Sequence, residues 1–227
     1  MLTRTIGRYI SWPIDRLAAL LAATGIPPNL ITWSALVGNF WAGVLFARGR
    51  FASAGGVMIL ACLCDLLDGP VARRQNRISL FGGFLNSIVD RYADLILFLG
   101  LLVYYAQVNR FRYAVLAGAA MAGAVMVSYA KARAESLVPQ AEVGFWDRPE
   151  RLVLMILGAL TNRMEIALWI LAIGPNITVI HRIVDTWKQT KASAPEPPAT
   201  VAHQSKLDEM PDAHLLTRSH SAGRGRV

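Results

Sequence analysis

Four carboxylates and one amide recur at helical spacing in a single stretch of an otherwise apolar chain. Asp65 and Asp68 are three residues apart, and Gly82, Asn86, Asp90 and Asp94 are each four apart. Each set therefore lines one face of a helix. Residues 74–79 leave room only for a short turn between them, so the two helices run antiparallel as neighbours. Two carboxylates from the first can then meet the amide and the carboxylates of the second. Several oxygen ligands at this spacing suit a hard divalent ion, Mg2+ or Mn2+. Without a cation, adjacent carboxylates repel one another and some protonate.

Two further groups of residues surround this cluster in sequence. Gly69 and Ala72 lie about one turn apart beside the acids, and Gly82 and Gly83 open the next helix. Small side chains let a flat or bulky ligand approach the backbone, although helix packing uses the same residues. Lys131, Arg133, Arg148 and Arg151 form a basic group at the end of one apolar segment and the start of another. They read either as plain topology signals or as a phosphate pocket, since Arg offers paired donors and Lys a point charge. Cys62 and Cys64 sit two apart and point to different helix faces, which disfavours a mutual disulfide or a zinc site.

These residues must be positioned by membrane helices. Of the 227 residues, 54% are apolar and 17% are charged, against roughly a quarter charged in soluble domains. That balance excludes a disordered chain and disfavours a soluble globule. The net charge of +8 belongs to membrane and substrate electrostatics, because no nucleic-acid module is present. The fold class expected is all-α and polytopic. Residues 1–23, with Arg4, Arg8 and Arg16 set against Ile6, Ile10, Ile14, Leu17 and Leu21, form an amphipathic interfacial helix kinked at Pro13. No cleavable leader is expected there. Residues 24–187 hold six apolar segments, near 29–47, 51–73, 79–106, 111–134, 149–162 and 164–187. About 20 residues cross about 30 Å of hydrocarbon, so the first segment is marginal and the fifth is short. Residues 188–227, rich in Pro and polar residues, are expected to be a disordered tail.

Charge sets the orientation. Thirteen Lys and Arg residues fall on the side that holds both termini and five on the other, so the termini and the acids face the cytoplasm. Asp65 follows Phe51 by fourteen residues, about 21 Å of helix. It therefore lies below the membrane surface, where a charge is costly unless paired, and this marks it as functional.

The run Asp65-x-x-Asp68-Gly69-x-x-Ala72-Arg73, eight residues, Gly82-x-x-x-Asn86-x-x-x-Asp90 resembles the signature of the CDP-alcohol phosphatidyltransferase family. Seven of eight fixed positions agree; Asn86 stands where the family has an aspartate. Pro28-Asn29-x-x-Thr32 resembles the family's entry to its first span. The resemblance implies a transfer of a phosphatidyl group from CDP-diacylglycerol to an alcohol with release of CMP. It implies that Asp65, Asp68, Asn86 and Asp90 hold Mg2+ or Mn2+, and that Asp90 is also the catalytic proton acceptor. It implies that Asn29, Thr32, Gly69, Ala72, Arg73 and Gly82 bind the CDP moiety, Asn29 and Thr32 being the weaker matches. The run Ser128-Tyr129-x-Lys131-Ala-Arg133-Ala-Glu135 and the later Glu150-Arg151 resemble the branch that makes phosphatidylinositol phosphate. On that resemblance Lys131, Arg133, Arg148 and Arg151 bind the acceptor's phosphate. The implied setting is the cell (inner) membrane, with a homodimer left open.

Alternatives stay open at this point. The acceptor could be glycerol 3-phosphate, which also carries phosphate. Asn86 could leave two weakly held metals, one metal, or an impaired membrane homologue. A cation transporter is the remaining class, but it would favour broken helices and repeats, and neither is visible.

Overall fold

A computed structural model describes the backbone of residues 2–137 and 144–192 and the side chains from residue 13 onward within that span. Seven helices account for nearly all of it: α1 (Leu2–Ala23), α2 (Pro28–Ala47), α3 (Phe51–Arg74), α4 (Leu80–Gln107), α5 (Phe111–Glu135), α6 (Arg148–Leu160) and α7 (Met164–Ala192). No strand occurs among the described residues. Four helices, α2, α3, α5 and α7, are long and apolar enough to cross a membrane. α4 is long, with 28 residues, but Asp90, Arg91 and Asp94 interrupt its apolar run. α6 has 13 residues, about 20 Å.

Helix ends explain the tight connections. Gly49, Asn76, Asn109 and Asn162 have φ of 71°, 53°, 55° and 55°. Each ends a helix in the left-handed region, and the following arginine closes a six-residue loop: Arg50 N–H to Leu45 O, Arg77 to Ala72, Arg110 to Tyr105 and Arg163 to Gly158, all at 2.9 Å. This is the Schellman cap, which satisfies orphan carbonyls and turns the chain at once. The next helix starts within a few residues, so α2–α3, α4–α5 and α6–α7 are antiparallel hairpins, whereas α3 and α4, expected as direct neighbours, reverse direction with α2 packed against both.

α2 packs against α3 and α4, α4 against α5, and α3 against α1 and α6. α2 and α4 approach at Gly43 and Gly100, where a Cβ on Gly100 would collide with the Gly43 carbonyl. Only glycine allows that separation, and it brings the start of α2 beside the start of α4. The main core runs from Phe46, Met58 and Tyr105 at one end to Leu97, Met155, Leu168 and Leu171. A smaller cluster of Ala18, Ile31, Leu67 and Val71 joins α1 to α2 and α3 at the other end. Trp33, Phe40, Trp41, Leu60, Ile177 and Ile180 are exposed on the outside, as expected of surfaces that face lipid.

α1 holds Pro13 inside a single helix over Leu2–Ala23, close to the expected 1–23. One boundary differs from expectation: α7 runs to Ala192, past the expected end at 187, because the first breaker after it is Pro195. The chain divides after Thr186, and everything concerning the site lies before that point. In the described part of the second unit, Thr190 Oγ1 donates to Trp187 O at 3.1 Å. The rest of the expected tail, 193–227, lies outside the described residues.

Candidate active site

A cleft of about 250 Å³ opens where α2, α3 and α4 begin or end. Asn29, Thr32, Gly69, Ala72, Arg73 and Gly82 all line it, together with Asp68 and Asn86. Thr32 Oγ1 donates to Asp68 Oδ2 at 2.9 Å, which ties α2 to α3. Ser79 caps α4 by accepting from Gly82 N at 2.9 Å, and a Cβ on Gly82 would meet that Oγ at 3.0 Å. Gln75 Nε2 donates to Ile26 O at 3.0 Å and anchors the end of α3 to the turn before α2. Pro28, Arg77, Ile78, Ser79 and Gly83 complete the lining. The turn supplies three of these residues, and helix periodicity alone does not identify them.

The other acids meet the start of α6. Arg148 Nη1 donates to Asp65 Oδ2 and lies 2.8 Å from Asp90 Oδ1, an ion-pair distance without hydrogen-bond geometry. Arg148 Nε lies 3.7 Å from Asp94 Oδ1. Arg151 Nη2 donates to Asp94 Oδ2 at 2.5 Å and its Nη1 to Trp146 O at 3.3 Å. Arg151 and Asp94 have side chains only 2% and 7% exposed.

This geometry gives the four residues expected to bind the acceptor different surroundings. Arg151 was expected to bind phosphate, but its guanidinium is enclosed and used by Asp94 and a backbone carbonyl. Arg148 was expected there too, yet it lies among the acids. Arg133 sits apart, exposed, with Ser136 as its partner at 3.4 Å. Lys131 instead joins a second charge centre on Asp147, with Lys131 Nζ 3.2 Å from Oδ2 and Arg182 Nη2 2.8 Å from Oδ1. Arg182 also donates to Val127 O at 2.7 Å, and it is buried. In the sequence Arg182 reads only as a topology charge; its burial is a tertiary fact. Gly144, at φ +136°, lets the loop lie on Arg182 and Thr178, where a Cβ would come within 2.8 Å of both. Burial acts to raise the Asp147 pKa, but hydrogen bonds from Arg182 and Lys131 outweigh it and hold the carboxyl below its ordinary value.

Do these residues fit a divalent ion? Among the described residues no three carboxylate, histidine or cysteine side chains form a ready cage. The donor chemistry does fit. Asp65 Oδ1 and Asn86 Oδ1 are buried without hydrogen-bond partners, and such oxygens are costly to leave uncompensated; Asp90 Oδ1 accepts no hydrogen bond either and has only the Arg148 charge beside it. All are hard ligands of the kind Mg2+ and Mn2+ prefer.

Comparisons with known proteins find relatives over most of the chain. Phosphatidylinositol phosphate synthase of Streptomyces avermitilis is 33% identical over 206 residues, which cover 84% of each chain. Archaetidylinositol phosphate synthase of Methanothermobacter thermautotrophicus is 31% identical over 192 residues, 82% of this chain and 92% of that one. The crystal structure of Mycobacterium tuberculosis phosphatidylinositol phosphate synthase with CDP-DAG bound superposes with a TM-score of 0.71 at 28% identity, covering 77% of this chain and 93% of that one. The same enzyme in complex with manganese and citrate also gives 0.71, at 28% identity and with 77% and 88% covered. The profile of one family matches residues 26–180, spanning cleft, acids and basic group alike: the chain belongs to the CDP-alcohol phosphatidyltransferase family.

Proposed function

We propose that this chain moves the phosphatidyl group of CDP-diacylglycerol to a hydroxyl of inositol phosphate, giving phosphatidylinositol phosphate and CMP. The observation that carries this reading is one cleft lined by all six residues assigned to the CDP moiety together with Asp68 and Asn86. The two relatives named above as inositol phosphate enzymes favour that acceptor over glycerol 3-phosphate. We place α2–α7 across the cell membrane as six spans, α1 at the interface, and the cleft and both termini on the cytoplasmic side.

Asn29, Thr32, Gly69, Ala72, Arg73 and Gly82 bind the CDP moiety. Gly69 and Ala72 leave the backbone of α3 open, and Arg73 at the end of α3 meets negative charge. Thr32 holds Asp68 in place. Asp65, Asp68, Asn86 and Asp90 would hold the divalent ion, which supplies positive charge to the pyrophosphate and to the departing CMP. The acceptor hydroxyl oxygen attacks the phosphorus bearing the diacylglycerol. The bond from that phosphorus to the bridging oxygen breaks, and that oxygen leaves on CMP. Asp90 takes the hydroxyl proton. Lys131 and Arg133 remain acceptor ligands in this scheme, and Arg182 joins them, since it shares Asp147 with Lys131 and an anionic acceptor can compete for the same two cations.

The test is direct. Purified protein is given CDP-diacylglycerol, Mg2+ and labelled inositol phosphate or glycerol 3-phosphate. CMP release with the first acceptor only is the expected result. Release with glycerol 3-phosphate only overturns the acceptor, and none with either overturns catalysis.

A further inference from the structure

Arg148 stands where the acids need a cation. It contacts Asp65 and Asp90, two of the four residues assigned above to the divalent ion, and its side chain is 17% exposed. Little solvent is therefore available to screen three neighbouring carboxylates. Asp94 has its own partner in Arg151, which leaves Asp65 and Asp90 to Arg148. Arginine suits that place because its planar fork stays charged and can span two carboxylates. A guanidinium and a divalent ion cannot share the same carboxylate oxygens cheaply, since the two cations would repel across a few ångströms in a poorly screened site.

We propose that Arg148 is a resident counter-cation: it neutralises Asp65 and Asp90 when no divalent ion is bound, and must leave them for the ion to enter. The inference rests on the metal reading given under Proposed function. It accounts for two observations at once. Among the described residues no three acids form a ready cage, and a guanidinium lies between Asp65 and Asp90. Asp65 Oδ1 and Asn86 Oδ1 nevertheless lack partners, because one guanidinium reaches only part of the ligand set. The exchange is a side-chain movement rather than a shift of α6. Asp147 just before Arg148 is fixed by Lys131 and Arg182, and Arg151 one turn later is fixed by Asp94. The backbone between those anchors has little freedom, whereas the long Arg148 side chain has several rotatable bonds.

The experiment measures metal alone, without turnover. Full-length protein in nanodiscs is titrated with Mn2+ and free Mn2+ is read by electron paramagnetic resonance, for wild type and for Arg148→Gln. Removing the competing cation should tighten Mn2+ binding about tenfold, equivalent to about 1.4 kcal/mol. Equal or weaker binding by Arg148→Gln, with wild type binding normally, overturns the proposal. If wild type binds no Mn2+, the metal reading itself fails. A second measurement needs no variant: the rate at which phenylglyoxal modifies Arg148 in the wild type, followed by mass spectrometry. Faster modification with Mn2+ than with chelator supports release of the guanidinium, and an equal or slower rate overturns it.

Discussion

Where α2, α3 and α4 meet, small side chains leave a cleft, and its acid, Asp68, is held by the neutral hydroxyl of Thr32. At the start of α6 the contacts are ionic. Arg148 serves Asp65 and Asp90, Arg151 serves Asp94, and Lys131 and Arg182 share Asp147. The first region offers space and the second joins α3, α4, α5, α6 and α7 through charge. A substitution in the cleft should therefore change ligand binding at nearly constant stability. In the ion-pair region it should disturb the fold itself, because a buried charge loses its partner.

The largest effect is expected at the boundary of the two regions. Asp90→Asn removes the proposed proton acceptor and should lower turnover by about 10²–10⁴-fold. CDP binding should stay within a few-fold of wild type, because Asp90 does not line the cleft. Retained turnover would move the base to another group. Next comes Arg151→Met, which strands Asp94 in a nearly closed environment. Breaking one side of a buried pair costs about 3–5 kcal/mol, visible as a lower thermal midpoint. Asp94→Asn in the same chain should recover part of the loss, since no unpaired charge then remains. A normal midpoint with only a raised acceptor KM would return Arg151 to the acceptor pocket and break the contrast between the regions.

Gly69→Leu tests the cleft in the same terms. A Cβ there meets only Arg73 Nη1, at 3.5 Å, so the fold has room for it while the cleft loses volume. The KM for CDP-diacylglycerol should rise about tenfold, a loss of about 1.4 kcal/mol in binding, with little change in midpoint. Asn86→Asp is expected to have a smaller effect, several-fold tighter Mn2+ binding, because it adds charge where Asn86 Oδ1 has no partner. Unchanged affinity would remove Asn86 from the ligand set.

The two regions also differed in how far the sequence revealed them. The cleft is written in spacing within single helices, and Gly69, Ala72 and Gly82 could be placed from periodicity and a motif. The chain reversal between α3 and α4 followed from the short gap between acids, but the packing of α2 against both helices did not. The ion pairs were not legible, because Arg148 and Arg151 look alike as basic residues three apart. Which acid each meets depends on how α6 docks against α3. Arg182 carried no local signal at all, and Asp147 looked like an ordinary residue ahead of a helix. The Schellman caps at Asn76, Asn109 and Asn162 were detectable in principle, as Asn-Arg at the end of a helical segment. Periodicity alone does not register a left-handed residue.

The smallest effect tests the outermost ion pair. Arg182 and Lys131 hold the Asp147 carboxyl below its ordinary value against the opposing effect of burial. A depressed folded pKa means that the unfolded chain binds the proton more readily. The stabilisation is therefore complete above the unfolded value of about 3.9 and disappears as pH falls through the lower folded value. Other carboxylates titrate in the same window, so the informative quantity is the difference in thermal midpoint between wild type and Asp147→Asn. That difference should be positive and flat from pH 7 to pH 5, and should shrink below about pH 4 as Asp147 is protonated. Because this side chain is 38% exposed, the difference should be smaller than that for Arg151→Met, where solvent is excluded. A difference that persists unchanged at pH 3 would show that Asp147 acts through its hydrogen-bond geometry rather than its charge, and would remove this centre from the ionic half of the site.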